Sequence, residues 1–183
     1  MNQERKKVII KEILSLVLSF CLFYAIFFMI SKFVLGPVQV TGPSMHPTLN
    51  DTHRGLTYLL DKEVNQFDIV ILKGKSEVEE EWVKRVIALP NDTIYCKDDV
   101  IYINDEAINE DYLNQEYVES EREKHGYFTE DFDEVVLGDD EYFLMGDNRH
   151  YSMDSRRVGP FTQDEIIGHG VFIFYPFDHI GFN

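Results

Sequence analysis

The chain has 183 residues, of which 33 are acidic and 17 are basic, and its formal net charge is −16. This length suits one ordinary domain with an appendage, or two very small domains. Residues 33–183 carry 12 basic and 31 acidic side chains, a formal charge of 12 − 31 = −19, which excludes a nucleic-acid partner because phosphate binding needs a basic face.

The first predicted element is an uncharged segment of 19 residues from Ile13 to Ser31. As a helix rising ~1.5 Å per residue it reaches roughly 28 Å, close to the ~30 Å hydrocarbon core of a bilayer. A cleaved signal peptide is the alternative, but it needs a shorter apolar region followed by a small-x-small site. Here the apolar run continues to Leu35 and meets Gly36-Pro37 without an Ala-x-Ala sequence. The pattern predicts a retained transmembrane helix over residues 13–35.

The basic residues around this helix predict its orientation. Arg5, Lys6, Lys7 and Lys11 precede the helix, and only Lys32 closely follows it. Because basic residues stay on the cytoplasmic side of a membrane, residues 1–12 are expected to form a cytoplasmic tail. The protein is then a single-pass protein of the cell membrane, with the rest of the chain extracytoplasmic.

Beyond Pro37 the sequence predicts short β-strands separated by turn residues. The strand segments are "VQV", "RGLTYLL", "QFDIVIL", "EWVKRVIAL", "TIYC", "VIYIN", "EYFLMGD" and "GVFIFY". "TIYC" and "VIYIN" flank a Lys97-Asp98-Asp99 turn, as the strands of a hairpin do. Two segments, "NEDYLNQEYVESEREKHG" and "TQDEIIGH", are the predicted short helices.

These elements predict a mainly β protein, in which one transmembrane helix is followed by an all-β extracytoplasmic domain of residues 36–96 and 141–183. Residues 97–140 are rich in Asp, Glu, Tyr and Asn, with little apolar periodicity after Ile108. They are predicted to form a smaller, peripheral β-rich insertion without chemistry of its own. Cys21 lies within the predicted membrane helix and Cys96 in the extracytoplasmic part, so they cannot pair, and they form no metal or redox motif.

The stretch "VTGPSMHPTLND" contains a candidate nucleophile, Ser44. In an extended segment His46 would point to the same side as Ser44. A Ser-His hydrolase also needs an acid to orient the histidine, however, and Pro47 restricts the backbone of His46. An exposed loop histidine is therefore the favoured interpretation of His46.

Lys84 is the other candidate for a base. It lies inside an apolar strand, and the period of two places Trp82 and Val86 on its face. Neutralising an exposed lysine at pH 7 costs about 4.6 kcal/mol, and burial supplies pKa shifts of that order. A lysine tuned in this way acts as a general base. On the strand alone, a surface lysine that extends its amine into water is the competing interpretation.

A third stretch, "GDNRHYSMDSRRVGP", combines two aspartates, three arginines and two serines in a glycine-bounded loop. So many polar groups are costly to bury unless each finds a partner. The loop therefore predicts a hydrogen-bonded network beside a site. Two aspartates without a suitably spaced His or Glu are weak evidence for a metal site.

Three stretches in this order, "PSMHPTL", "KRVIALPND" and "GDNRHYSMDSR", resemble the bacterial type I signal peptidases of the short Gram-positive class. The shorter "FDIV" is similar to a further box of that family, and "FYPFDHIG" to its C-terminal end. The resemblance covers nearly the whole chain and weakens through about 97–140. Two positions depart from the family pattern, since Ala88 and Asn91 replace its glycines; Asn91 is expected to keep the turn because Asn tolerates positive φ.

The resemblance implies a serine endopeptidase with a Ser-Lys dyad, in which Ser44 is the nucleophile and Lys84 the general base. It implies that Ser152 hydrogen-bonds Lys84 and that the backbone N–H of Ser44 holds the oxyanion. The implied supporting network is Asp147, Arg149, Asp154 and Arg156, and the implied substrate pockets, shaped for small side chains, are lined by Val38, Val40, Met45 and Val83.

The implied function is removal of signal peptides from exported preproteins, by cleavage after small residues at positions −3 and −1. The partners are then preproteins and the lipid bilayer, and no cofactor or metal is implied. One alternative is a catalytically silent homologue that serves as an assembly factor for surface structures. Another is a self-cleaving repressor-type protease, which the membrane anchor and the lack of a DNA-binding segment oppose.

Overall fold

A computed structural model describes residues 3–60, 63–76 and 80–182 of the chain. Met1 and Asn2 of the predicted tail and the C-terminal Asn183 therefore lie outside the described residues.

The chain begins with one long helix, α1 (Gln3–Phe33). Its stretch Arg5–Ser31 is long and apolar enough to cross a membrane. The large apolar side chains from Val8 to Ile30 are exposed. A helix that is apolar on all sides needs an apolar surrounding, so α1 is a candidate membrane span.

The remainder of the described chain is mostly β. Its strands are β1 (Leu35–Gln39), β2 (Arg54–Tyr58), β3 (Ile69–Lys73), β4 (Glu81–Ala88), β5 (Thr93–Lys97), β6 (Val100–Ile103), β7 (Glu106–Ala107), β8 (Phe132–Val136), β9 (Glu141–Met145), β10 (Phe161–Thr162), β11 (Ile166–Tyr175) and β12 (Gly181–Phe182). The larger sheet has the antiparallel order β1-β2-β11-β3-β4-β9-β10, and β12 pairs with β11. The predicted mainly β fold with one apolar N-terminal helix is confirmed.

The smaller sheet has the order β7-β6-β5-β8 and packs on the larger one. A shared core joins residues of both, including Ile94 and Ile101 of the smaller sheet and Ile87 and Phe143 of the larger. The predicted hairpin of β5 and β6 is confirmed, with Asp98 and Asp99 at positive φ as a two-residue turn requires. The smaller sheet starts at β5. The predicted boundary at residue 97 lies at the end of this strand, so it places residues 93–96 in the segment 36–96.

One of the two predicted helices is present as α2 (Gln115–His125). The side chain of Asn114 caps its first turn by accepting a hydrogen bond from the Tyr117 N–H, and Gly126 ends it at φ 86°. The short α3 (Ser155–Val158) lies within the polar loop of residues 146–160.

The helix predicted for "TQDEIIGH" is wrong. Only Gln163–Glu165 form a helical turn, of the 3₁₀ type, and β11 begins at Ile166. β-Branched Ile166 fits a strand, and Gly168 has no room for a Cβ, which would lie 2.8 Å from the Tyr58 carbonyl oxygen. Close packing against β2 therefore outweighs the local helical pattern.

The two departures from the family pattern are both accommodated. Asn91 has φ 69° in the turn after β4, as expected. Ala88 is fully buried, and the pairing of β4 with β9 shifts register between Val86 and Ala88.

Candidate active site

The structure brings Ser44 and Lys84 together. Ser44 lies in the loop that joins β1 to β2, and the buried side chains of Met45 and Leu49 anchor this loop in the core below it. Lys84 lies in β4, between β3 and β9. The Nζ of Lys84 is 3.1 Å from the Oγ of Ser44, a hydrogen-bond distance.

Lys84 is a buried lysine, with only 3% of its surface exposed. Its Nζ donates to the Val83 carbonyl at 3.0 Å and lies 5.4 Å from the centre of the Trp82 ring. Burial lowers the pKa of Lys84 from 10.5 to about 8, against the opposing effect of the Asp154 and Glu80 carboxylates. The competing interpretation of an exposed lysine is therefore wrong, because the side chain is desolvated.

His46 faces other groups. Its Nδ1 lies 2.6 Å from the Asn50 Oδ1, and its ring packs edge-on against Tyr117 of α2 at 5.0 Å. Among the described residues it forms no hydrogen bond with Ser44. This geometry leaves Lys84 as the titratable group in hydrogen-bond contact with Ser44.

The polar loop after β9 holds the Ser44 loop by backbone contacts. The N–H of Asn148 donates to the Ser44 carbonyl at 3.0 Å, and the Asn148 Nδ2 donates to the Pro43 carbonyl at 3.0 Å. Gly146 lies so close to the Ser44 carbonyl and to the Ser152 side chain that a Cβ there would overlap both. Asn148 was not identified from the sequence, although it stands inside the "GDNR" motif.

Asp147 is fully buried and pairs with Arg85, which follows Lys84 on β4. The Nε and Nη2 of Arg85 donate to the two carboxylate oxygens at 2.8 and 2.6 Å, the bidentate geometry of strong pairs. Thr48 adds a hydroxyl donor at 2.5 Å. Asp147 thus joins β4 to the Ser44 loop, and Arg85 belongs to the same network.

Arg149 joins the polar loop to the insertion. Its guanidinium is buried, pairs with the Glu110 carboxylate and donates to the Thr129 hydroxyl at 2.7 Å and the Tyr112 hydroxyl at 3.2 Å. Its Nε also donates to the Gly146 carbonyl at 3.1 Å. The insertion therefore supplies the partners of a buried charge beside the site.

Asp154 and Arg156 form a second buried pair. Arg156 donates to the Asp154 carboxylate at 2.9 and 2.8 Å and to the Arg149 carbonyl at 2.7 Å, while the Gly146 N–H donates to Asp154 at 3.0 Å. Burial alone would raise the pKa of the Asp154 carboxyl, but Arg156 and the Gly146 N–H hold it below its ordinary value. Both aspartates of the loop are thus engaged by arginines.

Ser152 is buried beside Gly146, and its Oγ has no hydrogen-bond partner among the described residues. The expected hydrogen bond to Lys84 is absent from these contacts. Its role as an orienting group stays a prediction.

A cleft of about 220 Å³ opens beside Ser44 and Lys84. Val40, Met45 and Val83 line it, together with Trp82 and Met153. Val38 is not among the lining residues but packs against the same apolar cluster below. The backbone N–H of Ser44 donates to no acceptor in the described parts of the chain, so it is free to meet a group in the cleft.

Comparisons with known proteins identify the family of the chain. Residues 12–175 match the family model of signal peptidase, peptidase S26. Signal peptidase I S of Bacillus subtilis (strain 168) is 39% identical over 156 residues, 83% of each chain, and signal peptidase I U of the same strain is 40% identical over 180 residues, 94% of this chain and 92% of the relative. The crystal structure of a signal peptidase I from Enterococcus faecalis V583 matches with a TM-score of 0.51 and 31% identity, over 58% of this chain and 95% of that one.

Proposed function

Because the chain belongs to the signal peptidase family, peptidase S26, we propose that it is a serine endopeptidase that cleaves signal peptides from exported preproteins with a Ser44-Lys84 dyad. Family membership over most of the chain thus agrees with the resemblance of the sequence motifs. The peptidase class follows from the family. The dyad, the specificity and the membrane topology are parts of the proposal.

The single observation that carries the dyad is the buried amine of Lys84 at 3.1 Å from the Ser44 Oγ. With a pKa of about 8, the amine is neutral in about a tenth of the molecules at pH 7 and in about half at pH 8, and the neutral amine accepts the hydroxyl proton. A base within hydrogen-bond reach and with a pKa near the working pH is what general-base catalysis needs. No cofactor enters this chemistry.

The proposed reaction has two steps. The Ser44 Oγ attacks the carbonyl carbon of the scissile peptide bond while its proton passes to the Lys84 Nζ. The Ser44 N–H donates to the developing oxyanion. Lys84 then gives the proton to the leaving amine, which releases the mature protein and leaves the signal peptide as an ester on Ser44. Water, deprotonated by Lys84, hydrolyses the ester.

The cleft supports a preference for small residues at −1 and −3. Val40, Met45 and Val83 restrict its width, and its volume is about 220 Å³. We expect preproteins with Ala at −1 to be processed and those with Phe at −1 to resist cleavage. Equal rates for the two substrates would contradict the assignment of these residues to the pockets.

The helix α1 is proposed to hold the enzyme in the cell membrane with its N-terminus in the cytoplasm, so that the cleft faces preproteins at the outer surface. The basic residues before the helix support this orientation. Residues 36–96 and 141–183 are proposed as the catalytic part. Residues 97–140 are proposed as an insertion that does no chemistry itself, while Glu110 and Thr129 within it support Arg149.

The test is cleavage of one purified preprotein by the full chain in detergent. Ser44→Ala and Lys84→Ala should each remove nearly all turnover, since a positioned base contributes roughly 10²–10⁴-fold. Lys84→Arg should fail as well, because a guanidinium keeps its proton. The matched control is His46→Ala, which should cost at most a few-fold. Turnover by Lys84→Ala, together with a dead His46→Ala enzyme, would overturn the dyad; a silent homologue would leave even the wild type inactive.

A further inference from the structure

A cluster of metal-ligating side chains lies apart from the cleft. In the parts of the chain that the structure describes, one group of three His, Cys, Asp or Glu ligand atoms comes within 4.8 Å of one another, and it consists of Glu121, His125 and His150. Glu121 and His125 are four residues apart on α2, so they share one face of the helix. His150 follows Arg149 in the polar loop, and its ring centre lies 4.1 Å from that of His125.

Two of the three groups are already oriented by other contacts. The Nε2 of His150 lies 3.0 Å from the Tyr127 carbonyl oxygen. Because a carbonyl only accepts, Nε2 carries the proton, and the lone pair is on Nδ1. Glu121 is buried, and Lys124 binds its Oε1 at 2.7 Å, whereas the Oε2 faces the His125 Nε2 at 3.5 Å. Metal-binding histidines and carboxylates usually have such outer hydrogen bonds.

We propose that Glu121, His125 and His150 bind one divalent transition-metal ion of the Zn²⁺ class. Two imidazoles and a carboxylate suit Zn²⁺ far better than Mg²⁺ or Ca²⁺, which prefer oxygen ligands. Ligand atoms at ~2.0–2.2 Å from a tetrahedral ion lie about 3.3–3.6 Å apart. The described separations, all within 4.8 Å, therefore close with a side-chain movement of about 1 Å, and the partly exposed ring of His125 is free to make it.

The ion would connect the insertion to the polar loop that contains His150. α2 belongs to the insertion, and His150 is the neighbour of Arg149, which the insertion already binds through Glu110. A metal here adds a second connection between the same two segments. None of the three ligands lines the cleft beside Ser44, so the site is structural and leaves the proposed peptidase chemistry unchanged.

The experiment uses the full chain in detergent, purified with a tag that contains no histidine and freed of metal with a chelator. Zn²⁺ binding is measured by competition with a chromogenic chelator, and Co²⁺ replaces Zn²⁺ to report tetrahedral geometry by its visible absorption. We expect one ion per chain. A hundredfold excess of free Zn²⁺ over Kd should raise Tm by about 5–10 °C, and the same concentration of Mg²⁺ should not.

The variants are His125→Ala and His150→Ala, with His179→Ala as the matched control because it removes a histidine outside the cluster. A change in a residue that hydrogen-bonds a metal ligand costs ~10–100-fold in metal affinity. Each ligand variant should lose more Zn²⁺ affinity than that, and the control should bind Zn²⁺ as the wild type does. Hydrogen exchange in residues 146–151 should slow with Zn²⁺ in the wild type and the control alone. Equal Zn²⁺ affinity of the wild type and the double variant His125→Ala/His150→Ala would overturn the proposal, and the cluster would then be only an ion pair of Glu121 with His125.

Discussion

Replacing Lys84 by methionine should stabilise the folded domain at pH 7 while it abolishes cleavage. The two side chains have similar length, but methionine carries no charge. Since the pKa of Lys84 falls from 10.5 in water to about 8 in the folded chain, holding the charged amine in the fold costs about 3 kcal/mol below pH 8. The variant also loses the hydrogen bonds to Ser44 and Val83, worth about 1 kcal/mol together or somewhat more. The net gain in free energy of unfolding is about 1–2 kcal/mol.

The pH dependence of this difference gives a sharper test than its size at one pH. Between pH 8 and 10.5 the unfolded wild type keeps the proton on Lys84 and the folded wild type releases it. The unfolded state then binds more protons, so the stability of the wild type rises with pH. From pH 7 to pH 10 the wild type should regain about 2.5 kcal/mol relative to Lys84→Met, enough to reverse the order of the two proteins.

The assay is urea unfolding of the full chain in detergent, followed by the fluorescence of Trp82, the single tryptophan of the chain. Trp82 lies on β4 beside Lys84, so it reports the domain and not α1. The exposed Lys97→Met is the control, because its charge stays in water and its stability difference should not vary in this way. A difference between wild type and Lys84→Met that is constant from pH 7 to pH 10 would refute the argument that Lys84 is held by a desolvating environment.

Three further outcomes are expected. The kcat/KM for a preprotein should rise with pH and level off with an apparent pKa of about 8, since only the neutral Lys84 accepts a proton; a flat profile from pH 6 to 9 would contradict this role. Gly146→Ala should lower stability by about 1–3 kcal/mol and reduce turnover, because the added methyl overlaps the Ser44 carbonyl. Gly138→Ala meets only a flexible side chain and should be mild. Equal urea midpoints and rates for the two variants would contradict this argument. Glu110→Gln leaves the buried Arg149 without its counter-charge and should lower the free energy of unfolding by about 3–5 kcal/mol. The exposed Glu119→Gln should lower it by less than about 0.5 kcal/mol. If both variants unfolded in urea as the wild type does, the pairing of Glu110 with Arg149 would not stabilise the fold.

The features that were predictable depend on local patterns. A long uncharged run indicates a membrane helix, and alternating apolar residues between turn residues indicate strands such as β5 and β6. Ser44 and Lys84 stood out because motifs of characteristic sequence surround them. The helix expected at "TQDEIIGH" was wrong because a contact with β2, distant in sequence, decides the conformation of Gly168.

The rest of the site depends on pairs that are far apart in the chain. Arg85 and Asp147 are separated by 62 residues and Glu110 and Arg149 by 39, and periodicity carries no information at such distances. The partner of Arg149 comes from a segment without a recognisable motif. Asn148 was missed because its action is on the backbone of the Ser44 loop, and a backbone contact leaves no mark on the neighbouring sequence.

The contact of Asn148 with the Ser44 carbonyl has a consequence for the order in which the chain folds. During synthesis Ser44 and Lys84 are made before the loop that contains Asn148, which holds the Ser44 backbone in place. The Ser44 loop therefore reaches its final conformation only after most of the chain has been made.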